Sequence, residues 1–154
     1  MTELDRLKRI SERLNLKELP FGFKEKNIKK LSSNIHKFWQ QHFKDLDESA
    51  TCLKWCTQTI KKLKVFTIIV TANEKGEEIY KEEIAKKLPQ YSYKTIASII
   101  DEGVTKGYYI NLLPISGEQM DKKIKNIRPS EDLEVEFLNW QIKLIKYSSI
   151  LSNK

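Results

Sequence analysis

The sequence predicts a mainly α-helical protein with a small β wing, and three observations lead to that fold class. Apolar residues recur every three or four positions over most of the chain, which is the period of helices that pack on one side. The run 108–113 combines two tyrosines with Ile, Asn and two leucines, a composition typical of a strand. A polar loop around Gly117 and a basic run at 122–128 follow, and together these two runs predict a hairpin.

Three helices are predicted in the first half of the chain. The first covers residues 3–14, and the second runs from about Lys24 to Leu46. The third begins near Ser49 and continues unbroken through 65–70, a segment that we interpret as helix although it is rich in β-branched residues. Gly76 is the expected stop of this helix.

The next stretch, Ile79 to Arg128, has the order helix, tight break, helix, strand, loop, strand. Pro89 ends its first helix, because proline disfavours helix at the residue before it. Ser92 is the candidate N-cap of the second helix, 92–106. This order predicts a winged helix-turn-helix, whose second helix most often enters the DNA major groove. The chain then closes with one more helix, capped by Ser130.

The predicted organisation has three segments. Residues 1–75 and 129–154 hold N- and C-terminal helices for dimerisation, and 76–128 hold the DNA-binding unit. The flanking helices carry more apolar surface than a unit of about 50 residues covers, so a second copy of the chain is the expected partner. The alternative is that the long helices fold back into a monomeric core.

The charge distribution favours an anionic partner, since the net charge is +7. Residues 1–64 carry 15 Lys or Arg against 8 Asp or Glu, whereas 78–128 carry 9 against 7. The excess in the N-terminal helices is either a solvated surface or a non-specific nucleic-acid surface. Within the DNA-binding unit, residues 76–128, the positive charge is concentrated in the wing, residues 114–125.

Candidate DNA contacts lie at two places. On the recognition helix, hydroxyl groups are suited to phosphate and longer polar side chains to base edges, and the candidates are Ser92, Tyr93, Lys94, Thr95 and Ser98. In the wing, residues 114–125, the cations suited to the minor groove are Lys122, Lys123 and Lys125. The alternative for each is a solvated polar position. Asp101 and Glu102 repel phosphate, so we expect contact to fade toward the end of the helix.

These features together make the chain resemble the multiple antibiotic resistance regulator (MarR) family of winged-helix transcription factors over about residues 50–150. The segments that carry the resemblance are the helix 82–88, the helix from Ser92 with Thr95 and Asp101 before Lys106-Gly107, the wing Asp121-Lys122-Lys123, Arg128-Pro129-Ser130 and the closing helix. Three places depart from the family pattern, and the first is the turn, where the family has a Gly and this chain has Pro89-Gln90-Tyr91. Lys123 stands where the family has Arg, and Gly103 where it usually has Leu.

The resemblance implies a homodimer that binds a palindromic double-stranded DNA site through its recognition helices and wings. It also implies a small aromatic effector that binds between the dimer helices and the reading unit. Candidate pocket residues for such an effector are Trp39, His42 and Tyr147. Aromatic residues at helical spacing are more often part of a core, and that alternative stays open.

Other functional classes receive little support from the sequence. Cys52 and Cys56 lie four residues apart without a matching set of histidines, so we predict buried thiols and neither a metal site nor a disulfide framework. No phosphate loop, nucleophile elbow or zinc-protease helix occurs, so we expect a regulator without cofactor and no enzyme. No apolar run is long enough for a membrane span, and the N-terminus lacks a signal-peptide pattern, so we expect a cytoplasmic protein.

A rival interpretation is that the winged helix docks on another protein and does not read DNA. The small charge surplus of residues 78–128 and the acids Asp101 and Glu102 favour this alternative.

Overall fold

A computed structural model of the chain describes residues 1–19, 22, 24–48, 51–112 and 126–152. Within these ranges the protein is mainly helical and has one two-stranded antiparallel sheet, which confirms the predicted fold class at this level. The elements are α1 (Glu3–Arg13), a 3₁₀ turn (Leu16–Glu18), α2 (Glu25–Glu48), α3 (Thr51–Cys56), α4 (Ile60–Lys75), α5 (Lys81–Lys87), α6 (Tyr93–Thr105), β1 (Tyr109–Leu112), β2 (Asn126–Pro129) and α7 (Glu131–Ser152).

The chain divides into two compact units. The central unit comprises residues 44–142, and the terminal unit comprises 1–43 and 143–154. The central unit holds residues from each of the three predicted segments, because α3, α4 and the first half of α7 share a core with α5, α6 and the sheet.

The core of the central unit is built from one apolar face of each helix. Burying these side chains removes apolar surface from water, which is the main favourable contribution to folding. Helix α4 contributes more of them than any other element and packs against α3, α5, α6 and β2. The buried residues include Trp55, Cys56, Val65, Phe66, Ile69, Val70, Ile79, Ile84, Leu88, Ile96, Ile100, Tyr109, Ile127, Leu133 and Phe137.

The predicted single helix from Ser49 through Val70 is wrong, because the chain breaks between α3 and α4. Thr57 donates its hydroxyl to the Leu53 carbonyl, and Thr59 caps α4 by accepting from the Lys62 amide at 3.1 Å. Threonine hydroxyls that bond nearby backbone groups compete with a continuous helix, which explains the break. The helical interpretation of 65–70 is confirmed, whereas Ser49 lies outside the described residues.

The segment after α4 turns sharply and runs beside the sheet. Gly76 ends α4 with φ +67°, the left-handed conformation that glycine adopts without strain. The Ile127 amide donates to the Ile79 carbonyl at 2.9 Å, and the Ile79 amide donates to Oδ1 of the buried Asn126 at 3.0 Å. Ile79 is therefore hydrogen-bonded along one edge of β2, and the other edge of β2 pairs with β1.

Helices α5 and α6 are joined by a short turn, as predicted. α5 ends at Lys87, two residues before Pro89, and Ser92 caps α6 by accepting from the Thr95 amide at 3.1 Å. Ile96 and Ile100 are buried on α6, whereas Ile99 and Val104 are only partly buried.

Helix α7 begins at the predicted cap. The Ser130 hydroxyl accepts from the Leu133 amide at 3.1 Å, and acidic residues occupy the first turn, where the helix dipole favours them. Leu133 and Phe137 are buried against α4, with the Phe66 and Phe137 rings edge to face at 5.2 Å.

The terminal unit begins with a capped amphipathic helix. Thr2 and Asp5 form a reciprocal capping box on α1, which itself buries no residue. Ser11 of α1 donates to Glu25 of α2 at 2.6 Å. Further along α2, Phe38 and His42 are buried.

Candidate nucleic-acid interface

The first two turns of α6 present most of the polar residues that the sequence analysis selected. Ser92, Tyr93, Lys94 and Ser98 are exposed, and Thr95 is half-buried. Tyr93 donates its hydroxyl to Glu82 of α5 at 3.5 Å. Lys94 has no ion pair within the described residues, so its charge is available to an anionic ligand. The predicted candidates on this helix thus lie together at its N-terminal end.

The N-terminal end of α6 is itself suited to anions. The first backbone amides of a helix lack partners within the helix, and the helix dipole adds a partial positive charge. Ser92 satisfies only the Thr95 amide of this turn. Hydroxyls of Ser92 and Thr95, 2.9 Å apart, stand beside the remaining amides. This arrangement offers several donors to one phosphate.

The two acids of α6 are engaged by neighbours within the protein. Lys81 of α5 donates to Asp101 at 2.6 Å, and Trp55 donates its indole N–H to Glu102 at 3.3 Å. Asp101 and Glu102 are both exposed, so these contacts do not remove them from the surface. The lysine offsets the charge of Asp101, and Glu102 keeps its charge at the surface beside the later turns.

Sequence reasoning missed a basic cluster beside the turn between α5 and α6. The Lys61 and Lys64 Nζ atoms of α4 lie 5.5 and 5.3 Å from the centre of the Tyr91 ring. Lys64 also donates to the Tyr91 hydroxyl at 3.4 Å. Since Tyr91 directly precedes Ser92, two lysines of α4 reach the start of α6. A signal was present in the sequence, because 60–64 holds three lysines and no acid follows before Glu74.

Arg128, which the sequence analysis counted with the basic strand, is buried. Its Nη2 donates to the Glu77 carbonyl, which ties β2 to the segment that follows α4. Arg128 therefore serves the fold and presents no charge to a ligand. The wing residues 114–125, including Lys122, Lys123 and Lys125, lie outside the described residues. Their contact with DNA stays a prediction.

The predicted effector residues fall within an aromatic cluster of α2. The Trp39 and His42 rings are 5.6 Å apart and edge to face, and the Phe38 ring stacks on His42 at 6.2 Å. Burial lowers the pKa of His42, and the charge of Lys143 lowers it further. The Tyr147 side chain lies outside the described part of the chain. The arrangement of Trp39 and His42 fits a core as well as a pocket wall.

The two cysteines are buried and free in the described structure. Burial raises the pKa of the Cys56 thiol to about 12, and its sulfur lies 3.7 Å from the buried Tyr109 hydroxyl. The pKa of Cys52 is also raised, first by burial and then by the charge of Glu136. Since the thiolate is the nucleophile and the metal ligand, both positions are chemically inert. Among the described residues, no group of three His, Cys, Asp or Glu side chains is placed to hold a metal ion.

Comparisons with known proteins add no assignment. No protein-family model, curated protein or solved structure matches this chain. Across the described residues, no helix combines the length and the apolar character that crossing a membrane requires.

Proposed function

We propose that this protein is a dimeric, sequence-specific DNA-binding transcriptional regulator with a winged helix-turn-helix as its reading unit. In this proposal α6 enters the major groove, residues 114–125 serve as the wing in the minor groove, and residues 92–98 make the first contacts. The family resemblance supports a palindromic site and a small aromatic effector, and both belong to the proposal.

The observation that carries the proposal is the arrangement around the sheet. Helix α4 is followed by the edge residue Ile79, then by α5, the turn, α6, β1 and β2, in that order. The hydrogen bonds of Ile79 to β2 add one further residue to the sheet, on the side of β2 that does not pair with β1. Leu112 and Asn126, which pair with each other, flank residues 113–125. The order of the described elements supports the proposal, because a winged helix has its helices and strands in this order.

Electrostatics at one end of α6 supports the DNA hypothesis. Lys94, Lys61 and Lys64 surround the capped N-terminus, where free amides already favour phosphate. A DNA backbone that passes this end would meet three cations. The acids lie further along the helix, so we expect phosphate contact at the N-terminal turns.

A second candidate function is a winged-helix module that docks on protein. Its support is the exposed carboxylate of Glu102 on the outward surface of α6. A negative charge on the later turns of α6 is unfavourable beside DNA, whereas a protein partner with a basic surface would use it.

Selection of bound sequences from a random duplex pool tests the proposal. We expect enrichment of one palindrome and an affinity that falls steeply with salt. If no sequence is enriched, the DNA-reading function is wrong and the protein-docking module takes its place.

A set of charge variants then tests the interface on the selected duplex. Lys94→Glu and the pair Lys61→Glu and Lys64→Glu should each weaken binding, and each lost phosphate contact should reduce the slope of log K against log salt by about 0.9. Lys75→Glu is the matched control, since this exposed lysine lies about 21 Å from Lys61 along α4. Equal losses in all three variants would show a general charge effect and contradict the interface.

A further inference from the structure

The central unit has a cleft of about 140 Å³ between α5, α6 and the sheet. Its floor is apolar, because Ile100 and Ile127 are each only 1% exposed and Val104 is half-buried. The rest of its lining is polar or aromatic and consists of Tyr80, Lys81, Glu82, Tyr93, Asp101 and Asn111. An apolar floor with a few polar groups around it is the usual composition of a small-molecule site.

The size of the cleft limits what it can take. A cavity of about 150 Å³ holds one benzene ring. The cleft therefore has room for a ligand of about one ring, or for a short chain of similar volume. Its apolar floor is suited to the body of such a ligand, whereas the polar groups of the lining are suited to a single charged or hydrogen-bonding group.

The charges around the cleft favour a cation over an anion. Lys81 donates to Oδ1 of Asp101 at 2.6 Å, so the charge of this lysine is already paired. Glu82 adds a second carboxylate, so the lining holds two acids and one lysine. An ammonium group has only donors to offer, and the Asp101 carboxylate and the Asn111 amide oxygen are acceptors. A ligand anion would meet two carboxylates and a lysine that is already engaged.

The two tyrosines of the lining favour an organic cation in particular. The Tyr93 hydroxyl donates to Glu82 at 3.5 Å, and the Tyr80 hydroxyl donates to Glu78. Each phenol group thus lies beside a carboxylate. The face of a tyrosine ring attracts an ammonium or guanidinium group through its quadrupole, and aromatic residues near carboxylates are a common environment for such ligands.

We propose that this cleft binds a small organic cation, whose charged group contacts Asp101 and whose apolar part lies on the floor. The site goes beyond the proposed function, because it would take its ligand whether or not the protein reads DNA. All of its lining residues belong to the central unit, so it shares none with Trp39 and His42 of the predicted effector site, which belong to the terminal unit. For a ligand of about eight non-hydrogen atoms we expect a Kd on the order of millimolar.

Titration of the full chain with benzylamine, without DNA, tests the site. Benzylamine has one ring and a positive charge at neutral pH. Two-dimensional NMR spectra should show saturable shifts of the backbone amides of Lys81, Asp101, Val104 and Asn111. Shifts that do not saturate, or that saturate only at residues outside the lining, overturn the proposal.

Two matched probes test the sign of the ligand charge. Benzyl alcohol keeps the ring and replaces the ammonium group by a neutral hydroxyl, and benzoate replaces it by a carboxylate. We expect each of them to bind at least about tenfold more weakly than benzylamine, because a hydrogen bond to a charged group is the stronger one. Equal affinity for the three probes, or tighter binding of benzoate, overturns the assignment of a cation site.

Asp101→Asn tests the carboxylate of the site. The change keeps the size of the side chain, removes its charge and leaves Lys81 without its ion-pair partner, so benzylamine should bind at least about tenfold more weakly. Glu74→Gln is the matched control, since it removes an exposed carboxylate that does not line the cleft and should leave the Kd unchanged. Native affinity in Asp101→Asn overturns the proposal, and so does an equal loss in both variants, which would show a general charge effect.

Tyr93→Leu keeps the proposal testable if Asp101→Asn does not fold. The tyrosine is 51% exposed, so its replacement removes a ring face from the cleft without opening the core. Benzylamine should then bind about threefold more weakly, whereas the affinity for benzyl alcohol should change less. Equal changes for the two probes would contradict a contact between the ring and the cation and overturn the site.

Discussion

A Cβ atom added to Gly103 would lie 2.3 Å from Cδ2 of the Tyr109 ring. It would also lie 3.2 Å from the Trp55 ring, and both aromatic residues are buried. Tyr109 cannot move away easily, because its hydroxyl and ring are enclosed by the core. Gly103 is therefore required for the contact between α6 and β1. The Tyr109 and Trp55 rings occupy the space that a larger side chain at position 103 would need.

We predict that Gly103→Ala lowers the free energy of unfolding by about 1–3 kcal/mol, the usual cost of overpacking a core. The sign of this change in the free energy of unfolding is informative, since Gly→Ala at an exposed position inside a helix would stabilise the protein by about 1 kcal/mol. Urea denaturation followed by circular dichroism measures it. Ser98→Ala, on the exposed face of the same helix, should change stability by less than about 0.5 kcal/mol. A stabilised Gly103→Ala protein would contradict the close packing.

The charge of Glu102 provides a second prediction. Glu102→Gln keeps an acceptor for the Trp55 indole and removes the negative charge from the outward surface of α6. If α6 meets DNA, affinity should rise about twofold, since a unit charge about 8 Å from a phosphate costs roughly 0.5 kcal/mol in water. Fluorescence anisotropy at fixed salt on the selected duplex measures the change.

The control for this variant is Glu74→Gln, which removes an exposed charge near the end of α4. It should leave DNA affinity nearly unchanged. Weaker DNA binding by Glu102→Gln would mean that the carboxylate makes a favourable contact with the duplex and would contradict this prediction.

Periodic apolar residues were sufficient to predict most helices, because each helix buries one face and the burial sets the period. The predicted caps Ser92 and Ser130 and the stop at Gly76 are also confirmed, since each depends on bonds within a few residues. The break between α3 and α4 was not predicted. It depends on Thr57 and Thr59 bonding backbone groups in a segment whose apolar spacing alone continues without interruption.

The basic part of the candidate interface was harder to predict for a different reason. Lys61 and Lys64 reach Tyr91 across about 30 residues of chain, and no local pattern encodes that approach. Conversely, Arg128 belongs to the basic run at 122–128 in the sequence, yet its side chain is buried. Its burial depends on the backbone of Glu77, which passes β2 only in the folded chain.

The cysteines give a chemical prediction. At about pH 8 a thiol with a pKa of about 12 is ionised to roughly one part in ten thousand, so Cys56 should not react in the native protein. Cys52 is buried as well and its pKa is also raised. Iodoacetamide followed by intact mass should show no label on the folded chain and two labels in concentrated guanidinium chloride. Rapid labelling of the folded chain would show that α3 opens readily and would contradict the protection of these thiols.

His42 should make the stability of the protein depend on pH. Burial and the charge of Lys143 lower its pKa in the folded state below the ordinary value of 6.5. The unfolded chain therefore binds the proton more tightly than the folded chain does. The contribution of His42 to the free energy of unfolding is fully present above about pH 6.5 and falls as the pH drops below that value. For one proton the loss cannot exceed about 1.4 kcal/mol per pH unit.

Urea denaturation at several pH values, for the native chain and for His42→Gln, measures this dependence of the free energy of unfolding on pH. The variant should lose part of the acid sensitivity, whereas His36→Gln, at an exposed histidine of the same helix, should retain it. Identical pH profiles for the native chain and His42→Gln would contradict the buried, neutral histidine.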